Sequence, residues 1–271
     1  MTEAPDISKF SGTGQFGPAY RYMLENDSHA AGSVDRVLAA RVVRLCQETT
    51  DYLYTAHTPL DISYESESRP ELELHVGNAC TAGSEDAVEH VAAFTAGLQE
   101  KVAGQGLDNL VLGGTEEQIV ARGSDWCTDV ARVGCVLCQI AGFPSRLVFL
   151  FDTRQAYSGH AIIETNRSER WGAIDTTTGA VYRRPDGRPA STWELMNKPD
   201  LIEWNRRRHR GAYTSTREQF AGVAISNYFV WDSARYDYGV SSINDYYRSI
   251  LSMANQGWPG GLRWLHGEEL L

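Results

Sequence analysis

One segment restricts the fold of this chain more than any other: Val130 to Ala141 is apolar on almost every side, and Gly142 with Pro144 supplies a stop signal at its end. A helix that is apolar all round belongs in the interior, so the segment is predicted to be a central helix with other elements wrapped around it. Three runs follow, Arg146 to Phe151, His160 to Glu164 and Trp171 to Ile174, with strand character and short polar or glycine-containing connections. A buried helix followed by successive strands predicts an α+β layout, the helix packed on an antiparallel sheet.

The flanks read mainly as helical additions to that core. Ser33 is a suitable N-cap for Val34, Val37, Leu38, Val42, Val43, Leu45 and Cys46 at helical spacing, giving an amphipathic helix that ends near Tyr54. Between Leu60 and Val76, apolar residues alternate in places (Leu60, Ile62, Tyr64, then Leu72, Leu74, Val76), which reads as one or two strands. Ser84 with Glu85 and Asp86 starts another helix, with Val88, Val91, Ala92, Phe94 and Leu98 inside and Gly104 near its end. Thr115-Glu-Glu-Gln118 has the capping-box pattern of a short helix before Gly123. Further helical pieces are expected at Thr192 to Met196, Asp200 to Arg208 and Ile243 to Ala254, and a loosely structured lead-in over the first 30 or so residues. The expected organisation is one domain over 1–271, with a core at 115–182 and a C-terminal extension, 183–271, packed on it.

Composition narrows the function. The chain has 271 residues, 35 acidic against 25 basic, and a formal charge of −10. A general nucleic-acid binder needs a positive surface to release counterions, so no nucleic-acid partner is expected. No apolar run approaches the roughly 18–20 residues of a membrane span, so none is expected with a membrane. The opening Met-Thr-Glu-Ala-Pro-Asp-Ile-Ser carries acids where a secretory signal needs basic residues. Five cysteines, an odd number at irregular spacing, argue against a disulfide framework. The expected setting is cytoplasmic, and the question becomes what the cysteines do.

A nucleophilic cysteine needs its thiolate stabilised, a base for the proton, and a third group to orient the base. If the central helix starts at Ser124 or Asp125, Cys127 lies in its first turn, where unpaired backbone N–H groups and the helix dipole favour an anion and could also serve an oxyanion. His160 lies 33 positions later, at the start of a predicted strand just after Gly159, and Asp175 a further 15 on, at the end of the next. If those strands are neighbours, the two side chains can lie together and a Cys-His-Asp triad is possible. Each residue also has a plainer reading: a small core cysteine, a structural histidine, and an aspartate forming a turn ahead of Thr-Thr-Thr-Gly.

The runs Arg122-Gly-Ser-Asp-Trp-Cys127-Thr-Asp-Val-Ala131, Ala141-Gly-Phe-Pro-Ser-Arg146-Leu-Val, Gly159-His160-Ala-Ile-Ile-Glu164 and Trp171-Gly-Ala-Ile-Asp175-Thr stand in this order. Together they resemble the core of the transglutaminase-like superfamily, over roughly Thr115 to Tyr182. The resemblance implies a papain-like fold, with Cys127 as nucleophile, His160 as general base and then acid, and Asp175 as orienter of the imidazole. It implies a thioester acyl-enzyme formed from an acyl donor and resolved by water or an amine acceptor, hence an acyltransferase or an amidase or peptidase, with transfer in a biosynthetic setting slightly preferred. Ser-Asp-Trp before the cysteine departs from the plain Gly of many members; Trp126 either shapes the acyl pocket or packs on the sheet. Arylamine N-acetyltransferases share the Cys-His-Asp order but carry their cysteine much nearer the N-terminus. A binding module that keeps the fold without turnover is the alternative from another class.

Cys135-Val-Leu-Cys138 lies inside the helix and lacks a second pair, so packing accounts for it better than zinc or redox chemistry. No histidine pattern suggests a metal, and no cofactor is expected. From Val181 to Phe220 the chain carries 9 basic and 5 acidic residues, including Arg206, Arg207 and Arg208. These arginines fit a solvated helix end or a docking patch for an anionic group such as a phosphate-bearing substrate or an acidic carrier protein. An aromatic-rich tail, Asn227 to Leu265, is expected to cover the core and form one wall of the substrate site, or else to pack on a second face of the core.

Overall fold

The computed structural model describes residues 42–54, 64–103, 114–151, 158–209, 220 and 222–226. In chain order the elements are β1 (Val42–Arg44), α1 (Gln47–Leu53), α2 (Pro70–Ala79), α3 (Glu85–Ala96), α4 (Glu116–Arg122), α5 (Cys127–Ile140), β2 (Ser145–Phe151), β3 (Ser158–Arg167), β4 (Arg170–Asp175), β5 (Ala180–Val181), α6 (Thr192–Asn197), α7 (Asp200–Arg208) and β6 (Gly222–Ser226). A 3₁₀ turn, Gly97–Val102, continues α3. The fold class is α+β: among the described residues the strands form a six-stranded sheet in the order β1-β6-β2-β3-β4-β5, antiparallel at every pairing. No helix among the described residues is long and apolar enough to cross a membrane.

The central helix is α5, buried at every residue from Thr128 to Gln139. It lies against one face of the sheet with α2, α3 and α4 around it, sharing a core with Leu147, Phe149, Ala161, Ile163, Ile174 and Val181. The alternate residues of the same strands, Val148, Leu150, Ile162 and Ala173, meet Leu53 of α1, Leu195 of α6 and Ile202 of α7 on the other face. Both faces of the sheet are covered, which is why the run Leu147 to Leu150 is apolar without alternation. Gly134 sets how closely α5 approaches: a Cβ there would meet Thr176 Cγ2 at 2.5 Å.

The β3–β4 hairpin turns through Ser168 and Glu169, at φ +49° and +63°, two left-handed residues whose twist matches that of the flanking strands. Its register pairs Arg167 with Arg170 and Ile163 with Ile174. The start of β3 and the end of β4 therefore fall at one end of the sheet.

Two expectations in the N-terminal flank are corrected. Val42–Arg44 is a strand, not part of a long helix to Tyr54: it pairs with β6, and the helix begins only after Cys46, where Thr49 completes a capping box. Leu72, Leu74 and Val76 lie on α2 and not on a strand. Pro70 and the acids Glu71 and Glu73 start that helix; Leu72 and Val76, four apart, are buried, whereas Leu74 is 66% exposed. The flanks are thus not purely helical, since β1 and β6 extend the sheet. The lead-in, Gly104, the helix expected at 243–254 and the aromatic tail lie outside the described residues.

Candidate active site

Cys127 is the first residue of α5 and is half-buried. The helix starts two or three residues later than the sequence suggests, so the thiol stands at its very end, beside amides that have no carbonyl partner within the helix. Trp126 takes the N-cap position without a side-chain cap, and its ring packs on the core that α5 shares with the sheet.

His160, at the start of β3, is 8% exposed. Its Nε2 lies 3.1 Å from both carboxylate oxygens of the fully buried Asp175, leaving Nδ1 as the other ring nitrogen, and the Cys127 side chain is near enough to the ring to raise its pKa. The hairpin register creates this meeting, because it brings the strand start and the strand end to the same edge. Asp175 also does what its neighbours suggest: Oδ1 accepts from the backbone N–H of Thr177 at 3.2 Å and of Thr178 at 3.3 Å, so the turn-forming and histidine-orienting roles reside in one side chain. Gln99, in the 3₁₀ turn, donates to the Thr177 carbonyl and ties α3 to the same loop.

Burial draws the His160 pKa down, but the Asp175 charge and hydrogen bond, followed by the contact with Cys127, more than offset it, leaving the imidazole pushed up to about 10. The arrangement can hold and release a proton next to a nucleophile and bind a developing oxyanion at backbone N–H groups.

The remaining cysteines have other settings. Cys135 and Cys138 are fully buried in the core, and burial pushes both thiols up, Cys138 to about 12. Arg206, Arg207 and Arg208 are exposed in the last turn of α7, and α7 packs on the face of the sheet opposite α5. The structure therefore brings Cys127, His160 and Asp175 together and leaves the arginines on another layer. Arg206 pairs with Glu203 at 3.8 Å, and the Arg208 guanidinium lies 5.7 Å from the centre of the Trp204 ring. Among the described residues no group of three His, Cys, Asp or Glu side chains is arranged to hold a metal.

Sequence reading passed over the groups that set the start of α5. Ser124 looks like the opening residue of the helix, yet its Oγ accepts the Trp126 N–H at 3.1 Å and lies 3.3 Å from Asp129 Oδ2. Asp129 bonds Arg122 at 3.1 Å. A Ser three residues before Cys127 and an acid two after it are ordinary in sequence, and only the start of the helix reveals their partnership. No family model, no curated protein and no solved structure matches this chain.

Proposed function

We propose that this protein is a papain-like cysteine enzyme of the transglutaminase-like kind that transfers or hydrolyses an acyl group through a thioester on Cys127. The observation that carries the reading is His160 held by both oxygens of Asp175, with Cys127 close enough to raise the imidazole pKa from the N-terminus of a buried helix. Three chemically competent residues, far apart in sequence and of the types an acyl transfer needs, meet at one end of the sheet.

The steps follow from the geometry. His160 takes the thiol proton and, with its raised pKa, keeps it while the sulfur attacks the carbonyl of an amide, ester or thioester. The S–C bond forms, the oxygen takes the electron pair beside the first amides of α5, and the tetrahedral intermediate collapses. The leaving group departs with the proton from His160 Nδ1. Water or an amine then attacks the thioester, His160 takes its proton, and the C–S bond breaks to release acid or amide. Asp175 keeps the ring oriented throughout and offsets its charge. Transfer and hydrolysis share this machinery and differ only in the nucleophile admitted at the second step.

The test is intact-protein mass spectrometry after incubation with simple activated esters and acyl thioesters, followed by peptide mapping. One acyl group on Cys127 is expected, with accumulation slowed roughly 10²–10⁴-fold in His160→Ala and abolished in Cys127→Ser. Acylation spread over other cysteines, or unaffected by His160→Ala, would sink the reading.

A further inference from the structure

The N-cap residue of α5, Trp126, has no side-chain oxygen with which to cap the helix. A helix normally fixes its first turn with a Ser, Thr, Asp or Asn at that position, often with an acid three residues on that reaches back to the N-cap N–H. Here the acid is present at that place, Asp129, but it reaches the N-cap through an intermediary. Ser124 is 2% exposed; its hydroxyl has one proton to donate, and the carboxylate of Asp129 at 3.3 Å can only accept it. A lone pair on the same oxygen receives the Trp126 N–H at 3.1 Å.

The carboxylate that orients the hydroxyl is itself held. Arg122 lies at 3.1 Å from Asp129 Oδ2 and Arg132 at 3.8 Å from Oδ1. Arg132 continues to Glu116 at 2.8 Å, and Glu116 to Arg69 at 2.6 Å. Among the described residues this network links the guanidiniums of Arg69, Arg122 and Arg132 with the carboxylates of Glu116 and Asp129. Upstream of Ser124, Gly123 at φ +86° lets the chain pass within reach of the 3₁₀ turn, where Ser124 N–H donates to the Leu98 carbonyl at 3.3 Å. The loop before Cys127 is thus tied from both sides.

We infer that Ser124 is a positioning residue for the nucleophile: its hydroxyl, oriented by Asp129, engages the Trp126 N–H and fixes the backbone from which the Cys127 sulfur reaches His160. The inference rests on the reading of Cys127 as nucleophile, and the two can be tested apart. The measurement is the rate of Cys127 alkylation by iodoacetamide at neutral pH, read by peptide mass mapping in the full chain. Wild-type Cys127 is expected to label faster than the half-buried Cys46 and Cys80. Ser124→Ala, which changes no charge, is expected to slow labelling of Cys127 roughly tenfold, the worth of one hydrogen bond of about 1.4 kcal/mol. Ser124→Thr, which keeps the hydroxyl, is expected to restore the rate. A merely structural Ser124 would lower the melting temperature and leave the Cys127 rate in place, and that result would overturn the inference. A second measurement needs no variant: in the wild-type protein the Trp126 amide is expected to be protected from hydrogen exchange, and rapid exchange there would overturn it too. Wild-type Cys127 labelling no faster than Cys46 and Cys80 would instead overturn the nucleophile reading.

Discussion

Burial draws the His160 imidazole down while Asp175 and Cys127 draw it up, and the balance stands near about 10 against an ordinary value of 6.5. Because the folded-state value lies above the unfolded one, the contact contributes stability that is fully present below about pH 6.5 and is lost as pH rises through about 10. The difference in unfolding free energy between wild type and His160→Gln is therefore expected to be largest in mild acid and to shrink in alkali, which urea denaturation at a series of pH values would check. On the face of the sheet away from α5 a second ion pair is fully buried. Arg146 bonds Glu164 through Nε at 3.0 Å and Nη2 at 2.7 Å, with both side chains fully buried, and its guanidinium lies 3.9 Å from the Trp171 ring centre and 4.7 Å from that of Tyr54. Removing one partner strands a buried charge, so Arg146→Met is expected to cost about 3–5 kcal/mol. Arg146→Met combined with Glu164→Met should recover part of that loss in the same denaturation experiment.

Elements add constraints that no single side chain carries. Gly123 ends α4 at φ +86°, and a Cβ there would lie 2.5 Å from Lys101 Cβ and 2.7 Å from the Leu98 carbonyl oxygen. Gly123→Ala is expected to destabilise by more than about 1 kcal/mol and to slow Cys127 alkylation with it, since the displaced strand of chain leads directly into α5. Helices α2 and α3 meet through His75 and His90, whose Nε2 atoms are 3.4 Å apart. Burial and then the charge of His90 hold His75 below its usual range, so the packing of these two helices is expected to weaken as pH falls through the lowered value. Melting curves of wild type and His75→Gln near neutral and in acid should diverge in that sense. The same elements show what was legible in advance. The buried helix, the three strands after it and the Thr115 capping box follow from local periodicity and capping chemistry, which depend on neighbours in sequence. Val42–Arg44 is decided by a partner distant in sequence, since β6 recruits it as a strand, whereas in Pro70–Ala79 the exposed Leu74 gives a helix a false alternation. The Cys, His and Asp of the site were visible as residue types at element ends, while the Ser124–Asp129 link depended on where α5 begins.

At the scale of the whole molecule, the candidate site lies at one end of a sheet covered on both faces, and the basic segment lies on the layer away from α5. Arg206, Arg207 and Arg208 therefore stand on a different layer from the helix that carries Cys127. The triple alanine variant is expected to leave iodoacetamide labelling of Cys127 within about twofold of wild type, because a screened surface charge on a separate layer changes a local rate little. The most direct test of the central claim is the rate of Cys127 alkylation at neutral pH in wild type beside His160→Ala. Wild-type Cys127 is expected to label faster than the half-buried Cys46 and Cys80, and His160→Ala to slow it roughly 10²-fold. A wild-type rate no higher than theirs, unchanged by His160→Ala, would contradict the claim.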